Sequence, residues 1–111
     1  MAKFIGGAPV DLTGTTPVVL VSAPGASKQR KVEAVWVDNR GSAQKTFILK
    51  KVVSGTGYDV YPKMVLPAGS RGQMLSAPII LDGTTDTLTI EMDAAISGTA
   101  PKADFAALEV P

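Results

Sequence analysis

Residues 31–53, KVEAVWVDNRGSAQKTFILKKVV, read as two long strands folded back on each other around a polar turn. Strand side chains alternate between faces, which puts Val32, Ala34 and Trp36 opposite Glu33, Val35 and Val37. On the return strand Lys45, Phe47 and Leu49 alternate with Thr46, Ile48 and Lys50. Neither strand has a cleanly polar face, whereas a half-exposed sheet would alternate apolar with polar. The pattern therefore predicts central strands covered on both sides, once by the core and once by something further, such as a partner subunit. The turn at 38–43 is longer than a two-residue hairpin loop, and its Asn39 and Gly41 suit positive φ. Trp36, the single tryptophan, reads as a core anchor, since it buries a large area and its N–H finds a partner inside. The alternative is a sugar-stacking platform shared with Tyr58 and Tyr61.

Glycine and proline are spread along the whole chain, and this excludes long helices, because each costs roughly 1 and 3 kcal/mol respectively inside one. What remains is a series of short strands joined by turns. PVVLVS at 17–22 is a strand closed by Ala23-Pro24-Gly25. After 45–53, the segment Ser54-Gly55-Thr56-Gly57 turns the chain into a strand at 58–61. Residues 64–66 lead to the turn PAGSRG at 67–72. In 73–81, QMLSAPIIL, Pro78 cannot donate to a ladder, so this is an edge strand or two short strands bent at the proline. DTLTIEM at 86–92 alternates cleanly, with Leu88, Ile90 and Met92 on one face. A loop then leads to a final strand at 105–110. With 111 residues, one core and one domain are expected. The predicted fold is all-β: a single antiparallel β-sandwich, jelly-roll-like, of about 7–8 strands over residues 17–111, preceded by an extended N-terminal arm over residues 1–16.

Composition narrows the function. With no cysteine and no histidine, disulfides, thiolate catalysis and the commonest general base and metal ligand are all absent. No serine lies in an SxxK or GxSxG context, which leaves carboxylates. Asp82, Asp86, Glu91 and Asp93 flank one strand at turns, where acids ordinarily hold Asx turns or water. A small hydrolase would need Asp86 and Glu91 to face each other over a pocket, and a calcium site would need ligand spacing that DGTTDT lacks. Gly55-Thr56-Gly57 lacks the GK[ST] and helix of a phosphate loop. Neither enzyme activity nor a cofactor nor a metal is expected. Eleven basic against ten acidic residues give a net charge of +1, so no field steers the chain toward nucleic acid or anionic lipid. No apolar run is long enough for a membrane-spanning helix, and the opening MAKFIGGAPVDL has no apolar signal core. The chain is expected to be made and kept in the cytoplasm until assembly.

Two segments suggest contact with other chains. Phe4, Ile5, Val10 and Leu12 give residues 1–16 more apolar bulk than a solvated tail needs, which fits an arm docked on a neighbouring subunit. Lys28, Arg30 and Lys31 form a basic stretch at the entrance to the long strand pair; it reads as a solvated edge that discourages pairing or as contact with an acidic protein surface.

Three pieces in order, VEAVWVDNRGSAQKTFIL, MVLPAGSRGQM and APIILDGTTDTLTIEM, give the chain a further character. The pattern resembles small β-sandwich virion proteins of tailed bacteriophages, the head decoration or cement proteins and related tail or adaptor subunits. The matching features are the strand ending in Asn with a small-residue turn (35–44), LPAG (66–69), and the apolar strand, Gly turn and DTL strand (79–88). The resemblance implies a non-enzymatic virion protein that binds the major capsid protein or other virion subunits on the outside of the shell, as a homo-oligomer, commonly a trimer. It implies a location in the virion and no membrane or specific nucleic-acid partner. A carbohydrate- or receptor-binding β-sandwich module is the rival reading.

Overall fold

The computed structural model describes residues 3–6, 9–60, 63–96 and 98–111. Its regular elements are all strands: β1 (Lys3–Gly6), β2 (Val10–Asp11), β3 (Val18–Val21), β4 (Gln29–Asp38), β5 (Lys45–Val53), β6 (Thr56–Asp59), β7 (Met64–Leu66), β8 (Arg71–Gln73), β9 (Ile79–Asp82), β10 (Asp86–Met92) and β11 (Lys102–Val110). No helix among the described residues is long and apolar enough to cross a membrane.

The strands make two antiparallel sheets around one core, the expected β-sandwich. In the six-stranded sheet β1 and β2 follow one another along β11, β11 pairs with β4, and β8 and β9 follow one another along the far side of β4. In the five-stranded sheet the order is β3, β10, β5, with β6 and β7 in line along β5. Each sheet is thus four columns wide, and the strand count exceeds the expected 7–8 because β1 and β2 lie in the stretch expected to be an arm and the column beyond β4 is broken into β8 and β9. Pro78, just ahead of β9, marks this break on an edge column, where a missing N–H costs no ladder bond.

One expectation fails at the centre. β4 and β5 are not a hairpin: β4 belongs to the six-stranded sheet and β5 to the other. Each already has neighbours on both edges, so neither has an edge left for the other, and residues 39–44 cross between the sheets. Asn39 holds this crossing. Buried at the end of β4, its Nδ2 lies 3.0–3.1 Å from the carbonyl oxygens of Ala43, Leu66 and Pro67. Its Oδ1 accepts from Gly41 N–H (3.3 Å), and its own N–H donates to Ser70 O (2.9 Å). The crossing is thereby tied to the turn at 67–70, where Gly69 takes φ +71° ahead of the Ser70 N–H···O=C Pro67 bond, as a type II turn requires.

The core is mostly aliphatic, with Phe47 its largest fully buried side chain. Val32, Val35 and Val37 of β4, Phe47 and Leu49 of β5, Leu88 and Ile90 of β10 and Ala103 and Ala107 of β11 are all fully enclosed. That Val32 and Val35 share the inner face needs an extra residue between them. The β4–β11 register shifts here, with Ala34 opposite Ala106 and Val32 opposite Ala107, so Glu33 has no partner on β11. This bulge changes the parity of the strand. Trp36, expected in the core, therefore points to the outer face, between the inward Val35 and Val37.

Candidate functional site

The outward turn of Trp36 assembles a polar hollow on the outer face of the six-stranded sheet. Cross-strand neighbours share a face, and the register sets two adjacent rows. Trp36 lies between Asp104 of β11 and Gln73 of β8, and Asp38 between Lys102 and Arg71. With Arg40 from the loop beyond β4, the side chains of Trp36, Asp38, Arg71, Lys102 and Asp104 border a depression of about 170 Å³. The Arg71 guanidinium carbon sits 5.7 Å from the centre of the Trp36 ring, within cation–π range. Its Nε is 3.8 Å from Asp38 Oδ1, an exposed and loose ion pair. Lys102 Nζ donates to Asp11 Oδ1 at 2.6 Å, and Asp104 Oδ1 accepts from Phe105 N–H at 2.8 Å. Gln73 is held in place, its Oε1 accepting from the N–H groups of Val35 (2.8 Å) and Leu75 (3.1 Å).

None of these residues except Trp36 stands out in the sequence, because their meeting depends on which strand lies beside β4. One signal was present: Asp38 lies two residues after Trp36 and so shares its face, and an unpaired carboxylate does not belong in an aliphatic core. The three-aromatic platform does not form. Tyr58 lies on β6 in the other sheet, and Tyr61 is outside the described residues.

The residues expected to meet partners are scattered. Phe4 is exposed on β1, Ile5 is half-buried, and Val10 packs against the core. Leu12 corrects its expected role in docking: it is fully enclosed within this chain's own core, with its N–H bonded to Pro101 O at 2.9 Å. In the basic stretch, Lys28 and Lys31 are exposed, and Lys31 reaches Glu33 at 3.6 Å. Arg30 is a second correction, because its guanidinium is engaged inside the chain. Nε donates to Glu109 Oε1 (2.8 Å) and Nη1 donates to Ser22 O (2.8 Å) and Oγ (2.9 Å). The Arg30 hydrogen bond holds the Glu109 carboxyl below the usual carboxylate range, against a smaller opposing effect of burial.

The acidic candidates separate as well. Asp86 shares the inward parity of Leu88 and Ile90, and Glu91 has the opposite parity, so the two carboxylates point away from each other across β10. Asp86 instead organises the turn before its strand: Oδ2 accepts from Asp82 N–H (3.0 Å), Oδ1 from Thr85 Oγ1 (3.3 Å), and Lys51 stands 3.7 Å away. Glu91 pairs with Lys50 at 3.2 Å on the outer face of the five-stranded sheet.

A second feature concerns the edges. The large hydrophobics left exposed among the described residues are Phe4 (83%), Tyr58 (58%), Val19 (54%), Val65 (49%) and Ile80 (43%). They lie on β1, β6, β3, β7 and β9, so every one is on an outer column and all four lateral edges of the sandwich carry at least one.

No family model and no curated protein matches the chain. Among solved structures, a Bacillus endospore appendage of a disulfide-linked pilus family is similar over 98% of this chain and 88% of its own, at 18% identity and a TM-score of 0.45. The Clostridium thermocellum xylanase 10B CBM22-1–GH10 modules, solved with xylohexaose, are similar over 96% of this chain and 24% of theirs, at 14% identity and a TM-score of 0.48. Neither likeness is close enough to carry an argument about this chain.

Proposed function

We propose that this chain is a non-enzymatic structural subunit of a tailed-bacteriophage particle, a capsid decoration protein that binds the outer shell and stabilises it through contacts between subunits. The observation that carries the proposal is the placement of exposed hydrophobics on all four edges of the sandwich. Edge strands present unpaired N–H and C=O groups, and monomeric proteins blunt them with charge, proline or a covering loop. Here β3, VVLV, and β7, MVL, carry no charge at all. Such edges suit a molecule that meets neighbours sideways, where burying an apolar side chain is worth roughly 1.5–3 kcal/mol. Contacts made only by the folded form also stabilise it by mass action.

The resemblance of the strand-and-turn pattern to phage decoration and adaptor subunits supports the same reading, and Asp86 and Glu91, pointing away from each other, do not form the carboxylate pair that a hydrolase reading would use. Electron cryo-microscopy of particles from cells producing the chain tests the proposal. Ordered density for the sandwich on the outer surface of the head is the expected result. Density at the neck or tail would make it an adaptor or tail subunit, and particles without the chain would overturn the virion reading.

A further inference from the structure

The Trp36 hollow is not accounted for by a role in lateral assembly. It lies on the face of the six-stranded sheet, centred on β4 and β11 and bordered on one side by Arg71 of β8. Its polar groups are only partly satisfied by one another. Asp38 has one loose contact at 3.8 Å, Arg40 has no hydrogen bond or ion pair among the described residues, and Asp104 uses one of its two carboxylate oxygens. These groups can take a ligand without first losing strong partners.

Charge decides which kind of ligand. Arg40, Arg71 and Lys102 are three cations; Asp38, Asp104 and the Asp11 carboxylate bound to Lys102 are three anions. The balance gives neither an anion nor a cation an advantage. A neutral ligand rich in hydroxyls uses both signs, because a hydroxyl donates to a carboxylate and accepts from a guanidinium. The indole adds an apolar surface beside them. One flat face with polar groups around its rim matches a sugar ring, whose axial C–H groups are apolar and whose edge carries hydroxyls. At about 170 Å³ the hollow is smaller than the usual enclosed small-molecule cleft. It fits a single ring, with the rest of a glycan chain running over the open sheet.

The guanidinium over the indole is compatible with this. Arg71 is exposed, and both its stacking and its ion pair are weak in that setting. We infer that the Trp36 hollow binds a neutral oligosaccharide, one sugar ring taking the place of the Arg71 guanidinium on the indole while Asp38, Asp104 and Arg40 hydrogen-bond its hydroxyls. The inference does not depend on the virion reading.

An array of neutral bacterial and plant glycans probed with the labelled full chain tests it, followed by tryptophan fluorescence titration with the best-bound oligosaccharide. Trp36 is the only indole in the chain, so ligand stacking must change the emission. Saturable binding is expected that changes this emission, weakens at least about tenfold in both Trp36→Ala and Asp38→Asn, a loss above roughly one RT ln 10, and survives in Trp36→Phe. It should persist in about 1 M salt, where charges are screened beyond ~3 Å. Circular dichroism melts confirm that the variants fold, and Asp38→Asn serves alone if Trp36→Ala does not. No neutral glycan bound across the array, binding that survives both weakening variants, or binding abolished by salt would each overturn the inference.

Discussion

Asn39 shows how one side chain can fix a crossing between two sheets. Two amide hydrogens are shared among three carbonyl oxygens from two stretches of the chain, and the Asn39 side chain itself is buried. Asn39→Asp would turn an acceptor toward those carbonyls and bury its charge. The expected loss is about 2–4 kcal/mol, a fall of roughly 10 °C or more in a thermal melt. Glu109 offers a test by pH. Its carboxyl is lowered in the folded state by the Arg30 hydrogen bond, so folding favours the ionised form. That contribution is fully present above the unfolded value of 4.5 and fades as the pH falls through the lower folded value. The difference in melting temperature between wild type and Glu109→Gln is therefore expected to be largest near neutrality and to shrink in acid. A constant difference would show that the pair adds nothing that depends on ionisation. Trp36 marks the limit of reading at this scale. Strict alternation assigns it to the same face as Val32, and only the bulge at Glu33 places it outside. A bulge is written in the register with a partner strand, and β11, that partner, comes more than sixty residues later.

The elements themselves were largely legible. The cleanly alternating 86–92 segment is β10, with Leu88, Ile90 and Met92 inward, and the run over 73–81 yields the short edge strand β9 after Pro78, while β8 falls mostly in the 67–72 stretch read as a turn. Local chemistry decides such features: side-chain alternation and a missing N–H act over a few residues. Pairing is a different matter. The two strands on either side of 39–44 look like a hairpin because they are adjacent and apolar, yet which sheet each joins depends on competition among all the edges. The true hairpin comes next, between β5 and β6. Ser54 and Gly55 both have positive φ (50° and 86°) between paired Val53 and Thr56, the geometry of a type I′ turn. A β-branched side chain is strained there, so Gly55→Val is expected to cost about 1–2 kcal/mol. Ser54→Asn, better suited to that turn, should raise the melting temperature slightly. Both are read by thermal or denaturant unfolding, and no loss from Gly55→Val would contradict the turn assignment.

At the scale of the whole molecule, the sandwich measures 43 × 25 × 22 Å. Its core is closed and mostly aliphatic, and its large exposed apolar side chains among the described residues lie along the edges. The both-sided apolar character of 31–53 suggested a covered second face. In β4 that character comes instead from the bulge and from small Ala34 packed beside the outward Trp36. The apolar surface available for contact lies on shorter strands, of which the sequence singles out Phe4 and Tyr58 but not Val19, Val65 or Ile80. Exposure of this kind is a property of position in a sheet, so it becomes visible only once the columns are in order. The central claim is that these edges are contacts between subunits of a particle. Quantitative mass spectrometry of purified particles measures this most directly, by counting copies of wild type and of a Phe4→Lys, Val19→Lys double variant relative to the shell protein. Wild type should be present at a fixed ratio to the shell protein, and the variant, melting at the same temperature, should fall several-fold. Equal copy numbers for the two, or no wild-type chain on the particles, would contradict the account.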